Sequence, residues 1–239
     1  MRIGTFWAHT FLLDIIRPKG TIFDFGLNYG GFSNMAAGLC EHVFAFEPNP
    51  FWSRERGNGI ALPRNVTIVP KAIAAKSGTY TFYLEPEGGT NSSLHKEHTG
   101  TRLDEAVTVD AITLGDALAL QTMTRIELIK VNIEGEKVPV LQTAPAEALR
   151  RAAQLSVEFE PYHSEEVIRS VIQRMESLGF WTVKFSWRNY GDVLFVNLGL
   201  EPLSPVQRAN IVLVHKYGRG ILRVLSRIPE EIGFRRSRH

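Results

Sequence analysis

The chain is predicted to fold as a doubly wound α/β domain: a seven-stranded, mostly parallel sheet with one antiparallel strand and helices on both faces. Three observations predict it. Apolar runs of strand character alternate with helical stretches along most of the sequence, the pattern of strands joined by crossover helices. A glycine-rich turn, Asp24 to Phe32 (DFGLNYGGF), lies between the first such run and the first helical stretch. A second apolar run, Val43 to Phe46, ends in the acid Glu47. Strand, glycine-rich turn, helix, strand and acid outline a nucleoside-binding crevice.

The elements follow in order. Residues 1–19 are expected to form a leading helix closed by Pro18 and Gly20. Strands are predicted at Thr21–Asp24, His42–Glu47, Val66–Pro70, Ile126–Asn132, Leu155–Glu160, Trp181–Phe185 and Val193–Asn197. Helices are predicted at Phe32–Cys40, Phe51–Gly59, Leu114–Ala119, Val138–Thr143, Ala146–Ala152 and Ser164–Leu178. The last two strands are joined by the short segment Arg188–Asp192. That is hairpin spacing, so the final strand should run antiparallel. Between Lys71 and Val109 the alternation breaks. Thr79–Leu84 reads as a strand, and Glu85–Arg102 as a polar loop containing Asn91, Ser92, Ser93, His95 and His98. Long loops in compact domains often bind ligands; a plain surface insertion is the alternative.

Residues 201–239 read as a basic amphipathic extension beyond a domain spanning 20–200. Ser204 is placed to cap a helix with Pro205 at its first position and Pro229 as its stop. At about 100° per residue, Ile211, Val214, Ile221, Leu225 and Ile228 share one side. Arg208, Lys216, Arg219, Arg223 and Arg227 share the other, and Arg235, Arg236 and Arg238 add charge. Such a helix can make peripheral membrane contact with anionic lipid. It can equally dock on its own domain, or pair subunits into an oligomer.

Composition narrows the class. The chain has 239 residues, 44% hydrophobic and 22% charged, ordinary for a folded domain. Net charge is +2, so no global field argues for nucleic acid. The single cysteine, Cys40, forms no intramolecular disulfide, which fits a cytoplasmic protein. The stretch Trp7–Ile16 contains His9 and Asp14 and lacks a small-residue cleavage site, so it is not read as a signal peptide. No run of 18 apolar residues is present.

Several residues carry chemistry. Asp24 stands where a dinucleotide-binding turn has its first glycine, and a carboxylate there suits a cationic ligand better than a pyrophosphate. Gly26, Gly30 and Gly31 allow close backbone approach. Glu47, at a strand's carboxyl end, can accept two ribose hydroxyls. Lys71 and Ala72 follow the third strand and should lie beside the base. Asn132 and Glu134 follow the fourth strand, at the edge where open α/β sheets hold ligands; a helix-start carboxylate is the plainer reading of Glu134. Glu158 and Glu160 share a face of the fifth strand, where two acids could hold a divalent metal or an acceptor hydroxyl, or one could instead be the buried partner of a basic group. His163, just past it, is a candidate base. No His/Cys cluster has zinc spacing, and no metal ligand set is predicted.

Taken together these residues resemble the FkbM family of S-adenosylmethionine-dependent methyltransferases. The likeness rests on DFGLNYGGF at 24–32, FEPNP at 46–50, NSSL at 91–94, IKVNIEGE at 129–136 and SVEFE at 156–160. It implies a Rossmann-like class I methyltransferase fold with S-adenosylmethionine as cofactor. The cofactor would be held by Asp24, Gly26, Asn28, Gly30, Glu47 and Ala72. Catalysis would fall to Asn132, Glu134 and His163. The implied reaction is O-methylation of a sugar, glycolipid or secondary metabolite. Two departures stand out: the family usually has Asp at the position of Asn132 and Glu at that of Lys137. An amide orients but has no useful basicity. A non-catalytic module that keeps the cofactor crevice is therefore an alternative. A nucleotide-dependent oxidoreductase is a second, opposed by Asp24 and by the absence of a GxGxxG run.

Overall fold

The computed structural model describes residues 1–53, 61–85, 92–96, 105–122, 124–186 and 190–218. The expected helix end at 54–59, Asn91, His98 and the tail beyond 218 lie outside them.

Strand β3 (Thr21–Phe25) is buried along its whole length, as a central parallel strand must be. Phe23 and Phe25 pack with Ile129, Val131 and Val157 on one face. Ile22 faces the other side with Val43, Leu128 and Phe32. The neighbours are β4 (His42–Phe46), β5 (Val66–Val69), β9 (Leu128–Val131), β10 (Gln154–Phe159), β11 (Phe180–Lys184) and β12 (Gly191–Asn197). Their order is β11-β12-β10-β9-β3-β4-β5. Only β12 is reversed, antiparallel to both β10 and β11. The chain leaves β3 first toward β4 and later returns on its other side as β9. That reversal opens a crevice outside the carboxyl ends of the strands.

Helices α1 (Gly31–Ala36), α2 (Pro50–Ser53), α3 (Leu114–Ala119), α4 (Lys137–Thr143), α5 (Ala146–Arg150) and α6 (Glu165–Ser177) fall in the expected stretches. Ser164 caps α6, its hydroxyl accepting from the Val167 amide. The segment after β5 forms a small sheet of β6 (Ala72–Ile73), β8 (Glu105–Ile112) and β7 (Gly78–Leu84), with β8 central. Strands β6 and β8 are additions to the expected pattern.

The leading helix expected over 1–19 is instead a hairpin. Strands β1 (Ile3–Phe6) and β2 (His9–Leu12) pair antiparallel. All four β2 residues are buried. The Leu12 amide donates to Gln154 Oε1 at 2.8 Å, and Gln154 Nε2 donates back to the Leu12 carbonyl at 3.0 Å. Burial against β10 and two main-chain bonds outweigh local helix preference.

In the extension, Ser204 caps α7 (Pro205–Asn210) through a capping box with Gln207, and Pro205 opens the helix. Residues 211–218 continue as a π-helix. Leu203 and Ile211 are buried in the cluster of Ile3, Val183 and Leu194, with Val212 packed against it. Val214, expected on the apolar side with Ile211, is exposed. The wider π turn shifts the phase away from 100° per residue. Among the described residues no helix is long and apolar enough to cross a membrane.

Candidate functional site

The carboxyl ends of β3, β4, β9 and β10 surround a cleft of about 760 Å³, within the range of roughly 300–1,000 Å³ for small-molecule sites. One end is built by the glycine turn. Gly26 and Leu27 both donate to the Phe46 carbonyl at 3.0 Å. Gly26 has φ +90°, and a Cβ there would sit 2.0 Å from the Asn132 carbonyl oxygen. No other residue brings the backbone this close to the next strand. Asn28 also has positive φ, at 51°, which its side chain tolerates by accepting from the Tyr29 amide at 2.8 Å. Gly30, at φ +82°, starts α1 and lies outside the cleft lining.

Glu47 lines the cleft and is nearly buried. Its two oxygens accept from the Asn28 amide at 2.8 Å and the Asn49 amide at 2.9 Å. Burial pushes its pKa up to about 7, against these two amides, which favour the charge. Ala72 lines the cleft together with Ile73 and Asn49.

Asp24 is placed differently from the expectation. It is fully buried and absent from the lining. The parallel register sets it beside Lys130, whose Nζ lies 2.9 Å from Oδ1. Ser33 donates to Oδ2 at 2.6 Å. Its charge is therefore committed inside the protein, because a carboxylate on a buried strand face requires a partner. Lys130 also donates to the Gly26 carbonyl at 2.5 Å, and it does line the cleft.

The other end is acidic. Asn132, Glu134, Glu158, Glu160 and Tyr162 line it. The Tyr162 hydroxyl donates to Glu134 at 3.3 Å. Glu160 forms an ion pair with Lys137, and Lys137 Nζ also donates to Asn132 Oδ1 at 3.3 Å. The two departures from the family pattern are thus bonded to each other. Burial lowers the Lys137 pKa to about 8, although Glu134 and Glu158 favour its charge. Among the described residues the Glu158 carboxylate makes no hydrogen bond, and its Oε2 lies 3.8 Å from His9 Nε2.

His163 is not among the lining residues; it lies behind Glu160, its Nδ1 3.1 Å from Oε2. Burial, reinforced by Lys137, holds its pKa down at about 4. A chain reversal after β10 turns it away from the opening that Pro161 and Tyr162 face. His95 bonds Glu136 at 2.7 Å and does not line the cleft.

The histidine at the acidic end is His9, from the hairpin. Its Nδ1 is 3.2 Å from Ser156 Oγ, and Nε2 has no hydrogen-bond partner among the described residues. Burial, with the charges of Lys130 and Lys137, holds its pKa well below the ordinary value, so the ring is neutral. Trp7, Tyr29 and Trp52 complete the wall at the glycine-turn end. No sequence spacing links His9 to Ser156 and Glu158. Among the described residues no group of three or more His, Cys, Asp or Glu could hold a metal ion.

The glycine cradle, a carboxylate at the end of β4 and the cleft's size fit S-adenosylmethionine, and the architecture with one reversed strand is that of class I methyltransferases. Residues 24–181 match the Methyltransferase FkbM domain. The chain belongs to this family of S-adenosylmethionine-dependent methyltransferases, which sets aside the oxidoreductase reading. Solved structures of similar fold include a methyltransferase FkbM from Methylobacillus flagellatus KT, with 14% identity and TM-score 0.47. The match covers 75% of this chain and 44% of that one, so this chain spans less than half of its length. A putative methyltransferase from Streptococcus mutans in complex with SAH has 10% identity and TM-score 0.47, covering 78% and 93%. An rRNA methylase from Streptococcus thermophilus has 14% identity and TM-score 0.43, covering 77% and 88%. No curated protein matches.

Proposed function

We propose that the protein is an O-methyltransferase acting on a hydroxyl of a sugar, glycolipid or secondary metabolite. The observation that carries this reading is the joining of two unlike ends in one cleft. A glycine cradle with Glu47 meets an end holding Glu134, Glu158, Glu160 and a neutral His9. When bound, S-adenosylmethionine supplies an activated methyl group. What this chain's residues add is position and a place for the acceptor's proton. Glu47 takes the ribose, and Gly26 lets the cofactor approach the backbone. Glu134 and Asn132 orient the acceptor. Glu158, its carboxylate free of hydrogen bonds among the described residues, takes the hydroxyl proton. His163, whose Nδ1 accepts from the Glu160 amide at 3.2 Å, holds the chain at Glu160 rather than acting on the acceptor.

Transfer of tritiated methyl groups to a panel of glycosides, glycolipids and RNA tests this. Labelling of a hydroxylated small molecule, falling about 10²- to 10⁴-fold in Glu158→Gln, is the expected result. Labelling of RNA alone would overturn the acceptor class. Cofactor binding without transfer to any acceptor would favour the non-catalytic reading.

A second reading concerns location. Val206, Leu213 and Val214 stand exposed on α7 and the π-helical segment, beside a basic sequence. These support peripheral contact with anionic lipid. Liposome binding that is unchanged after removal of residues 204–239 would sink it.

A further inference from the structure

The hairpin tip carries an aromatic side chain that the core does not use. Phe6 pairs with His9, which leaves Trp7 and Ala8 as a two-residue turn. Trp7 has φ 54°, at the turn position that ordinarily takes glycine when φ is positive. A bulky residue there is strained, and such strain gathers at ligand sites. The Trp7 residue is 76% exposed, yet it lines the cleft. Its ring lies 5.9 Å from that of Tyr29, which belongs to the glycine turn. The strand behind it is fixed: Phe11 and Leu12 are fully buried, Leu12 is bonded to Gln154, and the Thr10 amide donates to Asp192 at 3.2 Å. The indole is thus presented at the cleft from an anchored base.

The charges at this end leave a gap that Trp7 can fill. Asp24 is engaged by Lys130 and Ser33 and does not line the cleft. Lys130, which does, brings positive charge toward it. A sulfonium at the glycine turn therefore meets no free carboxylate from Asp24. We propose that Trp7, backed by Tyr29, receives the sulfonium of S-adenosylmethionine through a cation–π contact. Tryptophan is the strongest aromatic partner for a cation. The inference rests on S-adenosylmethionine being the cofactor.

S-adenosylmethionine and S-adenosylhomocysteine differ in charge only at sulfur, a sulfonium in one and a neutral thioether in the other. Calorimetric titration of the full chain with each ligand isolates the contact. Trp7→Gly removes the indole and suits the left-handed backbone, so the hairpin is kept. It is expected to weaken S-adenosylmethionine binding about 2- to 30-fold more than S-adenosylhomocysteine binding. Trp7→Phe should recover part of that difference. An equal loss for both ligands, or no loss, overturns the proposal and leaves the cofactor standing. A wild-type protein that binds neither ligand overturns the cofactor reading and this one with it.

Discussion

The Asn28 amide donates to Glu47 Oε2 at 2.8 Å, tying the glycine turn after β3 to the acid after β4. Asn28 holds φ 51° at this point, so the bond fixes a left-handed turn whose side chain also accepts from the Tyr29 amide. Loss of the carboxylate releases the turn and removes the ribose acceptor together. Glu47→Ala is therefore expected to reduce S-adenosylhomocysteine affinity by about 10- to 100-fold, since a hydrogen bond to a charged group contributes roughly 1.5–3 kcal/mol. Calorimetry on the folded variant checks it.

Glu47 also predicts a pH dependence. Its folded pKa of about 7 lies above its ordinary value of 4.5. The folded state then binds more protons than the unfolded state between these values. Its contribution to stability is present below about pH 4.5 and is lost as pH rises through 7. Ligand binding runs the other way, because the ionised carboxylate is the better acceptor for two hydroxyls. From about pH 6.5 to 8 the free protein should lose stability while S-adenosylhomocysteine affinity rises; below pH 6.5 the buried neutral His9 and His163, which shed protons on folding, offset the slope. In Glu47→Gln the affinity should become flat. Part of the stability slope should remain, because burial also pushes Asp192 up to about 7. Denaturant titrations and calorimetry across this range measure both trends.

Asp24 and Lys130 form a buried pair, so breaking it from one side should be costly. Asp24→Leu leaves the Lys130 ammonium almost without water, at 4% exposure. A loss of about 3–5 kcal/mol is expected. The double variant Asp24→Leu/Lys130→Met should recover most of it, because paired removal leaves no orphaned charge. Chemical denaturation of the two single variants and the double variant decides the matter.

The sheet was legible for a simple physical reason. Strands buried on both faces, such as Thr21–Phe25 and Leu128–Val131, read as largely apolar runs whatever their neighbours. Glu47 was legible because an acid ending such a run has few structural uses. The hairpin was not, since Trp7 occupies the turn where glycine would have marked it, and His9 and Thr10 are held by Ser156 and Asp192 from distant strands. Strand β8 was a missed signal: Val107, Val109 and Ala111 alternate with polar residues and pack inward. The acid at Asp24 is legible in the sequence, but its partner is not. Only the parallel register sets Lys130 opposite it.

Lys137 connects the two departures from the family pattern to His163. Its ammonium reaches both Asn132 and Glu160, and its charge helps to hold the His163 pKa at about 4. Glu160 Oε2 in turn lies 3.1 Å from His163 Nδ1. Replacing Lys137 with Met removes the cation and leaves the Glu160 carboxylate to its histidine neighbour. Both changes favour the imidazolium, so the His163 pKa should rise toward its ordinary value of about 6.5. Wild-type His163 must shed its proton to fold below about pH 6.5, which costs stability there, and in the variant that cost should shrink. Asn132→Asp, with Lys137 retained, should move the Lys137 pKa up from about 8, because a second carboxylate replaces an amide at the ammonium. Resolved imidazole and lysine resonances followed through pH test both shifts. A His163 pKa unmoved in Lys137→Met would show that burial alone keeps the ring neutral.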